Sequence, residues 1–165
     1  MQEEIVDLIG KSPISVPVFI TGKIAFLACA VFFIVKIFAV DTMLYDSGFT
    51  QVFGASLYAV GLGTVILSIL QLGRSTSVGI PDKETELKTG GIYGTSRNPI
   101  YFGAFVMCAG SCLFSIHLVN LLLFVTTIVV HVRIVKKEEE FLEKRFGRQW
   151  LEYKQRIPRY IGRIG

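Results

Sequence analysis

Residues that bind metal ions or form disulfides are scarce in this sequence, which has two histidines and three cysteines among 165 residues. His117 and His131 stand at opposite ends of one apolar run, so their spacing does not suit a shared metal ion. Cys29, Cys108 and Cys112 all lie inside apolar runs, which is not the pattern of a disulfide-stabilised domain. We therefore expect neither a metal centre nor a disulfide framework.

Charge is also scarce. Only 18% of the residues are charged, whereas 52% are hydrophobic and the mean hydropathy is +0.56. These values are typical of a membrane protein and not of a soluble domain. The first residues, MQEEIVDLIGKSP, are acidic and do not resemble a secretory signal. We expect a single membrane-embedded domain over residues 1–165, with no nucleic-acid partner.

The first two apolar runs each have the length of a membrane span, which needs about 20 mostly apolar residues. They cover residues 16–40 and 49–72. In the second run, Ala55, Ala59 and Gly63 recur every four residues. Such a stripe of small residues predicts that another helix approaches closely along this face.

A third apolar stretch, residues 99–132, is too long for one span. A single helix of this length would measure about 50 Å, against a hydrocarbon core of about 30 Å. The polar sequence SIH at 115–117 divides the stretch, which predicts a tight helical hairpin of residues 99–114 and 118–132. The predicted fold is therefore all-α, a polytopic membrane protein with four transmembrane helices.

Lysine and arginine lie almost entirely on one side of the membrane if there are four spans. Lys11 and Lys23 flank the first span, four basic residues lie in the loop at 74–98, and ten follow from Arg133 onward. Only Lys36 falls on the other side. The positive-inside rule then places the loop and both termini in the cytoplasm.

The tail at 136–156 predicts an amphipathic helix that lies at the membrane surface. Basic residues surround large apolar side chains that recur at helical spacing: Leu142, Phe146, Trp150 and Tyr153. Gly147 predicts a break into two pieces, and Pro158 predicts the end of the helix.

A hairpin would bring two polar clusters together, because its two ends are neighbours. Arg97, Asn98 and Tyr101 at its start would then lie close to Arg133 and Glu138 after its end. A polar cluster between helices at the membrane boundary favours a ligand pocket. Alternatively, Arg97 only extends to the interface, and the loop glycines only form turns.

Two motifs flank the predicted hairpin. The first reads ELKTGGIYGTSRNPIYFG, and the second reads EEEFLEKRFGRQWLEYKQRIPR. Together they resemble the isoprenylcysteine carboxyl methyltransferase and phospholipid methyltransferase group of integral membrane enzymes. The resemblance covers residues 72–158, about half of the chain, and its matching positions are Leu87, Gly91, Tyr93, Arg97, Pro99, Tyr101, Glu138, Glu139, Leu142, Phe146, Gly147 and Tyr153.

The resemblance implies S-adenosylmethionine as cofactor, with S-adenosylhomocysteine as product. It implies a lipophilic acceptor that enters from the bilayer, either a prenylcysteine-like carboxylate or a lipid amine. Carried over by position, the implied cofactor-binding residues are Glu86, Leu87, Lys88, Tyr93, Asn98, Pro99, Ile100, Tyr101, Glu138 and Glu139. The implied catalytic residues are Arg97, Tyr101 and Arg133.

The sequence departs from the family pattern at three positions. Asn98 stands where the family usually has a histidine, and asparagine does not titrate. Ile134 stands where prenylcysteine methyltransferases have an arginine. The nearest arginine, Arg133, is one residue away, which turns its side chain by about 100° on a helix. Trp150 replaces an aromatic tyrosine of the tail motif.

Two other functions fit parts of the pattern. Membrane sterol reductases share a similar C-terminal hairpin and an arginine–x–proline motif, but they use NADPH and are longer. A non-enzymatic lipid-binding or assembly protein would keep the hairpin without the chemistry. Binding of a methyl donor, of NADPH or of neither cofactor distinguishes the three functions. The oligomeric state is not specified by any of these patterns.

Overall fold

The computed structural model describes residues 14–38, 44–45, 47–73 and 86–162. The end of the first predicted span at 39–40 and the first part of the loop, residues 74–85, lie outside these residues. Within them the fold is all-α, as predicted, with one isolated antiparallel bridge between Tyr45 and Ile116. The α-helices are α1 (Val16–Phe38), α2 (Gly48–Leu72), α3 (Pro99–Phe114), α4 (Leu118–Phe146) and α5 (Arg148–Arg156), and a short 3-10 helix covers Gly91–Gly94.

Three of these helices, α1, α2 and α4, are long and apolar enough to cross a membrane. Their outer faces carry large apolar side chains, for example Ile24 (60% exposed), Val60 (60%) and Leu122 (59%). Such a surface suits contact with lipid. α3 has 16 residues and is about 24 Å long, shorter than the hydrocarbon core. The multi-pass membrane architecture is confirmed, whereas four full spans are not.

α2 and α3 pack with their backbones in contact, because glycines face each other across the pair. A Cβ added to Gly54 would lie 2.8 Å from the carbonyl oxygen of Gly110, and one added to Gly103 would lie 2.8 Å from that of Gly61. On each helix the two glycines are seven residues apart, so both return to the same face. Only glycine leaves room for this approach.

The predicted stripe of Ala55, Ala59 and Gly63 does not form this contact. Ala59 is exposed, and a Cβ added to Gly63 would meet nothing within 4 Å. Within the described chain, a seven-residue glycine pattern on a different face of the same helix makes the close contact instead.

The turn between α3 and α4 is closed by Asn120, which is fully buried. Its side-chain amide donates to the carbonyl oxygens of Ser111 at 3.2 Å and Ser115 at 3.3 Å. The Ser111 hydroxyl donates in turn to the carbonyl oxygen of Cys29 on α1 at 2.6 Å. The bond to Ser115 gives a partner to a carbonyl oxygen at the end of α3, and the bond from Ser111 joins α3 to α1.

The second helix of the hairpin is longer than predicted. α4 continues past residue 132 without interruption to Phe146, because neither glycine nor proline occurs between Leu118 and Phe146. The break at Gly147 is confirmed, with φ at 50°. α5 then ends at Arg156, just before Pro158.

α5 does not present its large aromatic side chains to a membrane surface. Trp150 is 1% exposed and Tyr153 is 2% exposed, so both are buried within the protein. The interfacial orientation predicted for the tail is therefore wrong for these two residues. Their apolar area stabilises the docking of α5 against the rest of the chain.

We expect Gly61→Ala to destabilise the α2–α3 pair and Gly63→Ala to leave it intact. The added methyl group at residue 61 would press on the backbone of Met107 and Gly103, and overpacking of this kind costs about 1–3 kcal/mol. Thermal unfolding of the purified variants, followed by the fluorescence of the single tryptophan, measures the difference. Equal midpoints for both variants would contradict the backbone contact.

Candidate functional site

A hydrogen bond connects the loop before α3 to the end of α2. The Gln71 side-chain oxygen accepts a hydrogen bond from the Ile92 backbone N–H at 2.7 Å. Gly91 has a φ of 60°, and a Cβ there would collide with the Gln71 side chain. Glycine is thus required at position 91 by both backbone conformation and space.

Tyr93 joins this loop to α2 and α5. Its hydroxyl donates to the carbonyl oxygen of Ser68 at 3.3 Å, and its carbonyl oxygen accepts from the Tyr153 hydroxyl at 2.6 Å. Burial raises the pKa of Tyr93 to about 12 and also raises the pKa of Tyr153. Both phenols therefore remain protonated donors at neutral pH, and they fix the loop between the two helices.

The segment after α5 pairs with the residues that precede α3. The Arg97 backbone N–H donates to the Pro158 carbonyl oxygen at 2.9 Å, and that of Asn98 donates to the Arg159 carbonyl oxygen at 3.1 Å. The Ser96 hydroxyl also donates to the Arg159 carbonyl oxygen, at 3.2 Å. The end of the described chain thus lies against the start of α3.

Glu139 is the buried centre of this arrangement, with a side chain only 5% exposed. One carboxylate oxygen accepts from the Asn98 side-chain amide at 2.9 Å and lies 3.5 Å from an Arg97 nitrogen. The other oxygen accepts from Nη2 and Nε of Arg159 at 2.7 Å and 3.1 Å. These hydrogen bonds to Glu139 raise the pKa of Arg159. Both oxygens of Glu139 are therefore used within the protein.

The Arg97 guanidinium is also held by its neighbours. It donates to the Lys154 carbonyl oxygen at 3.2 Å and lies 5.7 Å from the centre of the Trp150 ring. Its side chain is 7% exposed. Its Nε has no hydrogen-bond partner within the described chain. Arg97 therefore links α5 to Glu139.

Glu138, the residue before, has different surroundings. Its Oε1 accepts from the Tyr101 hydroxyl at 2.8 Å, and this is its only hydrogen bond among the described residues. The Tyr101 ring lies 5.8 Å from Lys23 Nζ and 5.7 Å from the His131 ring. α1, α3 and α4 therefore meet at Tyr101, and the second oxygen of Glu138 accepts no hydrogen bond from a described residue.

The remaining predicted site residues are not joined to Glu138 by the contacts in the described part of the chain. Arg133 is exposed, whereas the neighbouring Ile134 is fully buried. Glu86 is exposed and pairs with Lys88 at 3.1 Å. Of the other three, Leu87 and Ile100 are half-buried, and Pro99 is buried as the first residue of α3.

Lys23 and Arg159 take part in the contacts described above, but the sequence did not predict them as site residues. Lys23 was expected at the flank of the first span, but it lies inside α1 and faces Tyr101. A lysine within an apolar helix was the available signal. Arg159 follows the predicted stop of the tail, and nothing in its local pattern indicates a buried carboxylate partner.

We expect Glu139→Ala to cost about 3–5 kcal/mol of stability, because it leaves two arginine side chains without their shared buried partner. Trp150 is the only tryptophan, and it lies beside Arg97, so its emission should shift to longer wavelength as α5 loosens. Glu140→Ala is the matched control, because Glu140 is exposed and pairs with Lys137 on the surface. Similar unfolding midpoints and spectra for the two variants would contradict the central role of Glu139.

Comparison with known proteins assigns this chain to a family. Residues 49–149 match the phospholipid methyltransferase family. The chain is also 28% identical over 110 residues to protein-S-isoprenylcysteine O-methyltransferase B of Arabidopsis thaliana. The matched part covers 64% of this chain and 56% of that protein, so the chain spans just over half the length of this relative. On the match over most of its length, the chain belongs to the phospholipid methyltransferase family of membrane methyltransferases.

Proposed function

We propose that this protein transfers a methyl group from S-adenosylmethionine to a lipophilic acceptor in the membrane. The observation that carries the proposal is the Tyr101–Glu138 contact at 2.8 Å. It places a carboxylate with one available oxygen where α1, α3 and α4 meet. Family membership and the name of the Arabidopsis relative support the reaction class. The acceptor is a prenylcysteine-like carboxylate or a lipid amine.

The polar groups of the site fit this cofactor. The available oxygen of Glu138 suits the ammonium of the methionine part, since a carboxylate accepts charge-assisted hydrogen bonds. A Cβ added to Gly90 would meet nothing within 4 Å, so the loop backbone is open to a ligand beside Glu86, Leu87 and Lys88. The wall is supplied by the residues fixed nearby: Tyr93, Pro99, Ile100 and Tyr101.

Asn98 and Glu139 contribute to this site by positioning it. The Asn98 amide nitrogen donates to Glu139 and to the Arg159 carbonyl oxygen. A neutral amide performs this task without titrating, which accounts for an asparagine at a position where the family usually has histidine. Arg97 belongs to the same group, because Glu139 and Lys154 bind its guanidinium.

With a carboxylate acceptor, the chemistry requires little acid–base help from the protein. When bound, S-adenosylmethionine supplies a methyl group on a positively charged sulfur. A carboxylate acceptor is already a nucleophile, so no residue needs to remove a proton from it. Tyr101 orients Glu138 through its hydroxyl and is the catalytic candidate that the geometry supports. Arg133 would act only from the exposed side of α4.

The same contacts support one membrane orientation. The Tyr153 hydroxyl meets the Tyr93 carbonyl oxygen at 2.6 Å, so the loop before the hairpin and the helix after it share one side. The basic residues of both segments favour the cytoplasm for that side, where S-adenosylmethionine is dissolved. We therefore propose that the N- and C-termini are cytoplasmic.

The family match favours this function over the two alternatives from the sequence. A sterol reductase would bind NADPH, and a lipid-binding or assembly protein would bind neither cofactor. The match over residues 49–149 covers the residues before α3 and Glu138 and Glu139 on α4, whereas Arg159 lies beyond it. Neither alternative is supported by a contact among the described residues.

We expect the purified protein to bind S-adenosylhomocysteine, as measured by isothermal titration calorimetry. Glu138→Gln should weaken binding at least tenfold, because an ionic hydrogen bond contributes about 1.5–3 kcal/mol. Glu140→Gln, on the exposed face of the same turn, should bind like the wild type. Wild-type protein without affinity would remove the proposed function. Unchanged affinity in Glu138→Gln would remove only the role of Glu138.

The acceptor class is identified by labelling. Membranes that contain the protein are incubated with S-adenosylmethionine labelled at the methyl group, and the lipid fraction is treated with alkali. We expect a carboxylate acceptor to release its label as methanol, because alkali hydrolyses methyl esters. Label that stays on lipid through this treatment would indicate an amine acceptor instead.

A further inference from the structure

The residues that follow α5 contact the start of α3, although they lie outside the segment that matches the family. The carbonyl oxygens of Pro158 and Arg159 accept hydrogen bonds from two consecutive backbone N–H groups before α3, at 2.9 Å and 3.1 Å. Tyr160 then packs edge-on against Phe105 of α3, with ring centres 5.7 Å apart. These three residues after α5 therefore form a strap across the start of α3.

Arg159 binds its neighbours with its side chain and with its backbone. Its guanidinium donates from Nη2 and Nε to one carboxylate oxygen of Glu139, at 2.7 Å and 3.1 Å. Its carbonyl oxygen accepts from the backbone N–H and the side-chain amide of Asn98, at 3.1 Å and 3.3 Å. The same amide donates to the other oxygen of Glu139 at 2.9 Å. These contacts close a ring of three residues, the Arg159–Glu139–Asn98 ring.

The ring joins the same two helices as the contact between Tyr101 and Glu138. Asn98 is the N-cap of α3, and Tyr101 is the third residue of that helix. Glu139 directly follows Glu138 on α4. The Tyr101 hydroxyl donates to Glu138 at 2.8 Å. The ring therefore sets the separation of the two helix segments that carry this contact.

Arg159 is the closest charged partner of Glu139 within the described chain. Arg97 lies 3.5 Å from the other carboxylate oxygen, and it also donates to the Lys154 carbonyl oxygen. Without the Arg159 side chain, one oxygen of Glu139 would lose both of its hydrogen bonds. Its remaining partners, Arg97 and Asn98, would then attract the carboxylate from one side only.

A small movement of Glu139 is transmitted to Glu138, because the two residues share one rigid helix. A rotation of α4 by about 10° moves a side-chain tip that lies about 5 Å from the helix axis by about 1 Å. A misplacement of this size in a positioned group costs up to about 100-fold in rate. The balance of contacts at Glu139 therefore controls how Glu138 is presented.

We propose that Arg159 is a positioning residue of the methyltransferase, which holds Glu138 against Tyr101 through the Arg159–Glu139–Asn98 ring and thereby sets the affinity for S-adenosylmethionine. This inference rests on the proposed function. It requires no contact between Arg159 and the cofactor. The Arg159 side chain is 37% exposed, against 5% for Glu139, so it reaches the buried carboxylate from the protein surface.

A double-mutant cycle between Arg159 and Glu138 tests the inference. The affinity for S-adenosylhomocysteine is measured by calorimetry in one detergent for the wild type, Arg159→Gln, Glu138→Gln and the double variant. We expect Arg159→Gln to weaken binding about tenfold in the wild-type background, but less than about twofold when Glu138 is already replaced. The second effect is smaller because the position of residue 138 then matters little. A residue that only stabilises the fold would weaken binding by the same factor in both backgrounds.

Two further variants serve as rescue and control. Arg159→Lys should bind within about threefold of the wild type, because an ammonium group keeps a charge-assisted hydrogen bond to Glu139. Arg156→Gln should bind like the wild type, because Arg156 is exposed and donates to the Glu152 carbonyl oxygen of its own helix. Wild-type emission of Trp150 in each variant shows that α5 remains docked.

The outcomes separate the inference from the proposed function. Wild-type affinity in Arg159→Gln, equal factors in the two backgrounds, or Arg159→Lys as weak as Arg159→Gln would overturn the inference alone. Altered Trp150 emission in Arg159→Gln would assign Arg159 to folding, and it would also overturn the inference. A wild-type protein that does not bind S-adenosylhomocysteine would remove the proposed function, and the inference with it.

Discussion

The buried carboxylate of Glu139 is the constraint on which the polar end of this protein depends. A single carboxylate binds Arg97 and Asn98 before α3 and Arg159 after α5. Removing charges from water is expensive, and the expense is offset only when every polar atom finds a partner. Glu139 satisfies this condition with both oxygens. Glu139 therefore holds together three segments that are far apart in the sequence: the residues before α3, α4 itself and the residues after α5.

In the apolar part of the protein, close packing of α2 against α3 adds to the polar contacts of Glu139. Glycines at 54, 61, 103 and 110 bring α2 and α3 into backbone contact, which lipid alone would not drive. The end of α2 then presents Gln71 and Ser68 to the loop. The position of Tyr93 thus depends on glycine packing that begins more than 20 Å along the helix. The packing of α2 against α3 and the position of the polar residues are therefore coupled.

The sequence predicted the helical class, the hairpin and the neighbourhood of Tyr101 and Glu138, because apolar run lengths and polar interruptions are local signals. It did not predict which glycines of α2 face α3, since two small-residue patterns compete on that helix. The burial of Trp150 also had no local signal, because an amphipathic helix faces either lipid or protein with the same pattern. Lys23 and Arg159 were missed because their partners lie on other segments.

Three consecutive glutamates, 138–140, have three different environments because a helix turns by about 100° per residue. Glu139 faces the arginines, Glu138 faces Tyr101, and Glu140 is exposed beside Lys137. Glu139 and Glu138 are therefore adjacent in sequence but contact different segments. Fixing Glu139 also fixes the rotation of α4, and with it the direction in which Glu138 points. An enzyme that relies on positioning rather than acid–base chemistry gains most from such rigid coupling. The same rotation buries Ile134 one turn earlier on α4.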